Sequence, residues 1–355
     1  MSRFFSEKYR DLTPYTPGEQ PKARKWIKLN TNESPFPPAP GVSARVAAAA
    51  GRLNLYSDPE SRALRELLAE KLGLEPENLI MTNGSDEALN YAFMAFCDER
   101  TPAVFPDITY GFYPVFARIN RVPFRTVPLR EDWTVDPADY LPAGGTVFLA
   151  NPNAPTGLAL GPGEIRRILE GNPDHILVVD EAYVDFGGES AVGLIGEYDN
   201  LIVTRTFSKS RSLAGLRLGF AAGNADLIRD LRTMQYSTNP YNVDMLAQAA
   251  GMACLEEDEY NLANVRTVTE TRAWTREQLV RRGFRTTDSR ANFLFAAHPD
   301  FPGSALRDRL REKGILIRWF DQDRIRDWSR ITIGSREEMA ALVQAIDGLR
   351  TEGQA

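Results

Sequence analysis

Short apolar, β-branched segments alternate with amphipathic helical segments through the middle of this 355-residue chain. Strand-like runs such as TVFLA (146–150), ILVVD (176–180) and LIVTRT (201–206) are separated by helix-like runs such as EIRRILEG (164–171). Strands that are apolar throughout are buried on both faces, and helices between them are typical of parallel strands joined by crossovers. The sequence therefore predicts an α/β fold with a mostly parallel central sheet.

The length of the chain and a change in its pattern of helix-like and strand-like segments predict two domains. A chain of 355 residues exceeds what one compact core usually organises. After Phe220 the segments become mainly helical and then return to a smaller α/β pattern. We expect an extended, proline-rich N-terminal arm over 1–45 that joins the small domain, a large domain over 46–255 and a small C-terminal domain over 256–355.

Composition argues against several classes of function. The net charge is -6, and arginines are scattered among acids, which does not favour a nucleic-acid or membrane partner. The two histidines, His175 and His298, have no companion at metal-ligand spacing, so no metal site is predicted. No segment approaches the roughly 20 apolar residues of a membrane span, and we expect a cytoplasmic protein.

Lysine is scarce in this chain, and one lysine stands alone in its centre. Only seven of the 42 basic residues are lysines, and Lys209 is the only one between Lys71 and Lys313. A deprotonated primary amine attacks a carbonyl to form a Schiff base, whereas a guanidinium cannot. Two interpretations are open: Lys209 is a lysine that was retained by chance, or it is a covalent catalyst. The residues that accompany it at the ends of the predicted strands distinguish between the two.

Polar side chains follow the predicted strands where those strands end. The turn 83–86 opens directly into a helix, Asp180 ends a buried strand with Tyr183 three positions on, and Lys209 and Arg217 follow the next strand. In open α/β sheets, ligands bind at the carboxyl ends of the strands. We therefore expect an amine, a carboxylate, a phenol, an arginine and a helix N-terminus in one cluster.

This set of groups matches the chemistry of pyridoxal phosphate. That cofactor carries an aldehyde for an amine, a pyridine nitrogen for a carboxylate, a ring oxygen for a hydrogen-bond donor and a dianionic phosphate. A helix N-terminus and an arginine both bind phosphate. The sequence therefore predicts pyridoxal 5'-phosphate as the cofactor.

Several motifs carry a resemblance to a known family. SKSRSLAGLRLG, NPNAPTG and VVDEAY resemble the landmarks of the class I and II aminotransferases, which have the fold called type I among pyridoxal-phosphate enzymes. LTPYTPGEQP, LNTNESPFPP, YSDPESRALRE and RITIGSREE are similar to its histidinol-phosphate aminotransferase branch. The resemblance covers nearly the whole chain.

The resemblance implies roles for individual residues. Lys209 would bind the cofactor and then shuttle a proton, Asp180 would pair with the pyridine nitrogen, and Tyr183 would hydrogen-bond the ring oxygen. Tyr110 would stack on the ring. The phosphate would be bound by Gly84, Ser85, Asp86, Ser208 and Arg217.

The resemblance also implies how substrates and a second subunit take part. Arg330 would bind the anionic end of the substrate, with Arg318 and Tyr15 as helpers. Tyr56 would reach the phosphate in a neighbouring subunit, which implies a homodimer with shared active sites. The substrates would be a small amino donor and a phosphorylated or carboxylate acceptor.

One position departs from the family pattern. Asparagine usually precedes Pro-Thr-Gly and touches the cofactor's ring oxygen, but here the residue is Ala154, and we expect Asn153 to substitute. The predicted reaction is transamination between histidinol phosphate and 2-oxoglutarate in histidine biosynthesis. Alternatives are an aminotransferase for aromatic or other amino acids, a threonine-phosphate decarboxylase of the same fold, and a catalytically silent cofactor-binding protein.

Overall fold

The computed structural model describes residues 2–10, 12–21 and 26–352. Residues 1, 11 and 22–25 of the predicted arm and residues 353–355 of the predicted C-terminal domain lie outside the described residues. The strands are β1 (Ile27–Leu29), β2 (Leu79–Thr82), β3 (Ala103–Pro106), β4 (Phe124–Val127), β5 (Thr146–Ala150), β6 (Leu177–Asp180), β7 (Leu201–Thr206), β8 (Gly219–Gly223), β9 (Arg285–Thr286), β10 (Phe293–Ala297), β11 (Ile315–Trp319) and β12 (Trp328–Thr332). The α-helices are α1 (Pro40–Ala50), α2 (Arg62–Leu72), α3 (Ser85–Phe96), α4 (Tyr113–Ile119), α5 (Pro162–Glu170), α6 (Ala225–Thr238), α7 (Met245–Glu256), α8 (Asp258–Arg281), α9 (Gly303–Glu312) and α10 (Arg336–Glu352).

The larger sheet has seven strands in the order β2-β8-β7-β6-β5-β3-β4. All neighbouring pairs are parallel except those of β8, which is antiparallel to both β2 and β7. The predicted α/β fold with a mostly parallel sheet is confirmed. Because β6 and β7 are parallel neighbours with Asp180 opposite Thr204, the residues that follow these two strands lie at the same edge.

Strand β8 is the element of this sheet that the sequence pattern did not reveal. Its residues, GFAAG, are all buried but contain no β-branched side chain. Glycine suits this strand because a Cβ at Gly219 would lie 2.5 Å from the carbonyl carbon of Gly84 and 2.6 Å from the nitrogen of Ser85. The strand thus packs directly against the turn that precedes α3.

The smaller sheet has five strands in the order β1-β11-β12-β10-β9. Its β1 comes from the N-terminal region and pairs in parallel with β11, so the two ends of the chain build one sheet. Its core contains buried side chains such as Leu29, Leu294, Ile317 and Ile331. The domain boundaries at 45 and 255 stay a prediction.

One expectation near the N-terminus was wrong. The arm is not extended up to residue 45, because α1 begins at Pro40; proline suits a first helical position, where no backbone donor is needed. At the start of α2, Ser61 makes no capping hydrogen bond, and the Asp58 carboxylate instead accepts from the backbone nitrogen of Arg62 at 3.0 Å. Gly73 ends α2 with φ +67°.

No helix in the described part of the chain is long and apolar enough to cross a membrane.

Candidate active site

A cavity of about 260 Å³ lies at the carboxyl ends of β6 and β7. The start of α3, the smaller sheet and the N-terminal arm complete its wall. Eleven of the fourteen predicted site residues line it together: Lys209, Asp180, Tyr183, Tyr110, Ser85, Asp86, Ser208, Arg217, Arg330, Arg318 and Tyr15. A second cavity of about 620 Å³ shares Tyr15, Tyr110, Ala154, Arg318 and Arg330 with it, so the site opens toward the arm.

Asp180 is a buried carboxylate without a counter-charge. It is only 4% exposed, and burial together with the nearby Asp86 raises its pKa to about 7. The Tyr113 and Thr204 hydroxyls each donate to it at 3.3 Å, and the backbone nitrogen of Ala182 donates at 3.2 Å. Among the described residues no cation forms an ion pair with it, and none is among the causes of its raised pKa. A protonated pyridine nitrogen would supply the missing cation, so this acid fits the predicted cofactor.

Lys209 presents its amine to the same cavity. The Nζ atom lies 3.4 Å from the Thr31 carbonyl oxygen and 5.7 Å from the centroid of the Tyr183 ring. Within the described residues it forms no ion pair, so no carboxylate holds the amine in place. The amine can therefore turn toward an aldehyde bound in the cavity.

The turn before α3 forms one end of the site, and its groups suit an anion. Gly84 has φ +74° and lies so close to the Arg217 guanidinium that a Cβ there would be 2.7 Å from Nη2. Arg217 itself adopts a left-handed backbone, with φ 53°, and its Nη1 lies 3.3 Å from Ser208 Oγ. Free amides at Ser85 and Asp86, a hydroxyl and a guanidinium thus converge on a helix N-terminus, which suits a phosphate.

The Asp86 side chain makes contacts that the predicted role in phosphate binding did not suggest. Its carboxylate accepts from the Tyr110 hydroxyl at 2.7 Å and pairs with Arg217 Nη2 at 3.3 Å. The Tyr110 ring also packs edge-on against Tyr113, with centroids 5.7 Å apart. These contacts hold Tyr110 on the cavity wall, where its ring can stack on a bound ring.

Asn153 does not take the position expected of it. Its side chain accepts from the Thr109 hydroxyl at 2.7 Å and donates to the Ile108 carbonyl at 3.0 Å and to the Thr156 hydroxyl at 3.1 Å. These bonds use the amide to shape its own loop, and Ala154, not Asn153, lines the cavity. The expected substitution is therefore corrected: the structure does not bring the Asn153 amide to the site.

A different asparagine reaches the site. Asn32, on the loop after β1, donates from Nδ2 to the Tyr183 hydroxyl at 2.9 Å. It is 1% exposed and has φ 56°. The motif LNTNESPFPP pointed to its neighbourhood, but no pattern in the sequence identified this contact.

The opposite end of the cavity contains Arg330 on β12. Its Nη2 donates to the Asn30 carbonyl at 3.0 Å, and its Nε is buried without a hydrogen-bond partner in the described residues. Burial lowers its pKa, because the charge is withdrawn from water. A guanidinium that lines a cavity and keeps a donor without a partner among the described residues is suited to an anionic ligand.

The two predicted helpers of Arg330 connect this end to the arm. Arg318 lies opposite Arg330 in the β11–β12 pairing, and its Nη2 donates to the Thr16 carbonyl at 3.0 Å. The ring of Tyr15 stacks on Phe112 with centroids 4.5 Å apart. Both side chains therefore hold the arm over the cavity as well as lining it.

Tyr56 is not brought to the cavity of its own chain. It is 80% exposed and stacks on Tyr241, with centroids 4.4 Å apart, away from the cavity-lining residues. In the described part of the chain no group of three or more His, Cys, Asp or Glu side chains is arranged to hold a metal ion.

Comparisons with known proteins agree in sequence and in structure. The family model described as "Aminotransferase class I and II" matches residues 24–346. Histidinol-phosphate aminotransferase 2 of Dechloromonas aromatica (strain RCB) is 47% identical over 352 residues, which cover 98% of this chain and 99% of that protein. Histidinol-phosphate aminotransferase of Acetobacter pasteurianus is 46% identical over 347 residues, which cover 98% of each. The crystal structure of histidinol-phosphate aminotransferase from Sinorhizobium meliloti in complex with pyridoxal-5'-phosphate superposes with a TM-score of 0.88 at 25% identity, covering 98% of this chain and 99% of that one.

Proposed function

The chain belongs to the class I and II aminotransferase family, and we propose that it is a pyridoxal-phosphate enzyme that exchanges amino groups between histidinol phosphate and 2-oxoglutarate. In this reversible reaction, imidazole-acetol phosphate and glutamate are converted into histidinol phosphate and 2-oxoglutarate. The reaction is a step of histidine biosynthesis. The membership confirms the resemblance found in the sequence. The names of the similar proteins support the choice of substrates.

One observation carries the choice of cofactor: Asp180, buried without a cationic partner among the described residues, faces the same cavity as the Lys209 amine. Bound pyridoxal phosphate would supply an aldehyde that accepts amino groups and a ring that stabilises negative charge at the substrate carbon. Asp180 would keep the pyridine nitrogen protonated, and Arg217 with the start of α3 would hold the phosphate. Lys209 Nζ would bind the aldehyde and, once displaced, take and return the proton at the substrate carbon.

The unused donor of Arg330 supports an anionic substrate. Its guanidinium can bind a phosphate or a carboxylate through two parallel hydrogen bonds. One arginine can therefore serve both the phosphorylated substrate and the dicarboxylate that exchange places in the two halves of the reaction. The neighbouring Arg318 adds positive charge to the same end of the cavity.

We also propose that the enzyme acts in the cytoplasm as a homodimer with shared active sites. Tyr56 supports this proposal because a phenol that is 80% exposed in its own chain is available to a partner. Leu53 and Leu55, in the same segment, are 58% and 60% exposed. Apolar side chains grouped on a surface are typical of an interaction site.

A substrate panel tests the function. The purified enzyme with pyridoxal phosphate is expected to form glutamate from histidinol phosphate and 2-oxoglutarate, and Lys209→Arg is expected to abolish turnover while keeping the positive charge. Release of carbon dioxide from threonine phosphate without glutamate formation would instead identify a decarboxylase. Turnover of aromatic amino acids in preference to histidinol phosphate would refute the proposed specificity but not the cofactor.

A further inference from the structure

Asn32 joins three separate parts of the chain beside the cavity. Its Nδ2 is 2.9 Å from the Tyr183 hydroxyl, and its Oδ1 is 2.9 Å from the Thr332 hydroxyl at the end of β12. Its backbone nitrogen also donates to the Thr332 hydroxyl at 3.0 Å, and its carbonyl oxygen accepts from Asn292 Nδ2 at 3.1 Å. Asn32 and Thr332 are 1% and 2% exposed, so water does not compete for the two bonds between them.

The Thr332 hydroxyl determines which way the Asn32 amide faces. A threonine hydroxyl has one hydrogen, and its oxygen here accepts from the Asn32 backbone nitrogen. Among the described residues this buried hydroxyl has no other acceptor, so its hydrogen is directed to Asn32 Oδ1. With Oδ1 used as an acceptor, Nδ2 faces Tyr183, and the amide can only donate to that phenol.

The consequence is a defined direction for the Tyr183 hydroxyl. Its oxygen accepts from Asn32, so its own hydrogen must point elsewhere, and Tyr183 lines the cavity. The ring is held edge-on against Phe293, with centroids 5.1 Å apart, and Phe293 is the cross-strand partner of Thr332. With the ring held in place, only the hydroxyl hydrogen is left to be oriented.

The direction of the Tyr183 hydroxyl hydrogen is important because of the loop that contains Ala154. Ala154 lines the cavity with a methyl group, and the Asn153 amide is used within its own loop. At the position where the family pattern has an asparagine, this chain therefore offers no side-chain donor to the cavity. The Tyr183 hydroxyl must act without that second donor.

We propose that Asn32 is a positioning residue that turns the Tyr183 hydroxyl so that the phenol donates its hydrogen to the ring oxygen of pyridoxal phosphate. The inference rests on the proposed function, because it requires that cofactor on Lys209. A donor at the ring oxygen reduces the negative charge that retains a proton at Lys209 Nζ, so it favours loss of that proton. Asn32 thereby sets the pH at which the enzyme–cofactor complex loses the proton.

The test is a pH titration of the visible absorbance of the holoenzyme. Asn32→Ala is expected to raise the midpoint by about half to one pH unit, the size expected for weakening one hydrogen bond. Thr332→Val, which removes the orienting hydroxyl, is expected to raise it in the same direction, whereas Thr332→Ser is expected to keep the wild-type midpoint. Tyr183→Phe is expected to show a rise at least as large as that of Asn32→Ala.

The double variant Asn32→Ala with Tyr183→Phe distinguishes a positioning role of Asn32 from a general disturbance of the site. Because Asn32 acts through Tyr183, adding Asn32→Ala to Tyr183→Phe is expected to cause no further shift. An unchanged midpoint in Asn32→Ala, or a shift that adds fully to that of Tyr183→Phe, would overturn the inference and leave the proposed function intact. If wild type shows no titrating band with pyridoxal phosphate, the proposed function itself fails. Should Asn32→Ala not fold, the Thr332→Val and Thr332→Ser pair decides by the same criterion.

Discussion

The backbone of Gly219 lies directly against the backbone nitrogen of Ser85, so that a Cβ at 219 would be 2.6 Å from that atom. Gly219 begins β8, and Ser85 begins α3. A side chain at 219 would have to displace main chain and not a flexible side chain. The position of the anion-binding turn therefore depends on the glycine in the neighbouring strand.

Gly219→Ala is expected to weaken pyridoxal phosphate binding by about ten- to a hundredfold, because overpacking of this kind costs about 1–3 kcal/mol. The measurement is a titration of cofactor-free protein with pyridoxal phosphate. Gly215→Ala is the matched control, since a Cβ there meets nothing within 4 Å. Equal affinity in the two variants would contradict this role for Gly219.

Asp180 is expected to make the stability of the cofactor-free protein depend on pH. Its pKa is raised from 3.8 to about 7 by burial and by Asp86, so the folded protein holds a proton that the unfolded chain has lost. The free energy of unfolding therefore falls as pH rises from about 4 to about 7, by up to roughly 1.4 kcal/mol per pH unit from this group. Asp180→Asn removes this contribution.

Denaturant unfolding of both cofactor-free proteins across this pH range measures the difference. The stability of wild type relative to Asp180→Asn is expected to decline with rising pH. Adding pyridoxal phosphate is expected to flatten the wild-type dependence, because a cation beside Asp180 favours its ionised form. Parallel curves for the two cofactor-free proteins would show that Asp180 titrates normally.

Arg330→Ala is expected to lower kcat/KM for histidinol phosphate by about a hundredfold or more, the effect of losing a charge-assisted bond of roughly 3 kcal/mol. Arg330→Lys keeps the charge but loses the Nε donor, and is expected to recover only part of the activity. Arg318→Ala is expected to have a smaller effect, because the Arg318 guanidinium is engaged with two backbone carbonyls of the arm, those of Thr16 and Pro17, whereas Arg330 bonds one carbonyl and keeps its Nε without a partner among the described residues.

Two measurements check the proposal that Arg330 binds the anionic end of the substrate: steady-state kinetics and the affinity for the cofactor. Pyridoxal phosphate affinity is expected to be unchanged in Arg330→Ala, because the proposed phosphate site, formed by Arg217, Ser208 and the start of α3, does not include Arg330. Equal losses for Arg330→Ala and Arg318→Ala would contradict the assignment of the anion to Arg330.

Tyr56 is expected to complement a defective site in the partner subunit. If each site combines Tyr56 of one subunit with Lys209 of the other, Tyr56→Ala and Lys209→Ala subunits form hybrid dimers with one intact site. Random mixing of the two inactive proteins should then restore about a quarter of wild-type activity. The measurement is activity after joint refolding, with each variant refolded alone as the control. No recovery in a proven hybrid would show that sites are not shared.

Much of the site could be predicted from the sequence because the polar residues that end apolar strands can be identified there. Asp180 follows four apolar residues and Lys209 follows a buried strand, so their shared edge follows from parallel topology. Strand β8 was missed because glycine and alanine have low β-propensity, and its place depends on close packing against Ser85. Tyr113 was missed as a partner of Asp180 because a phenol in an apolar helix has the pattern of a core residue.

Contacts between distant segments explain the remaining errors. Asn32 meets Tyr183, 151 residues away, and Thr332, 300 residues away, and no local pattern encodes either distance. The Asn153 expectation was wrong because the hydrogen bonds of its loop, with Thr109 among the partners, take the amide out of the cavity. The hydrogen-bond partners of these asparagine side chains depend on three-dimensional packing, which spacing along the chain does not reveal.

The central claim is that Lys209 binds the cofactor covalently, and reductive trapping tests it most directly. The holoenzyme is treated with borohydride, digested, and its modified peptide identified by mass spectrometry. Seven lysines in the chain could be modified. We expect one phosphopyridoxyl group per chain, on Lys209, and none in Lys209→Arg. In the borohydride-treated wild-type holoenzyme, a modification on any other lysine in place of Lys209, or no trapped group at all, would contradict the covalent role of Lys209.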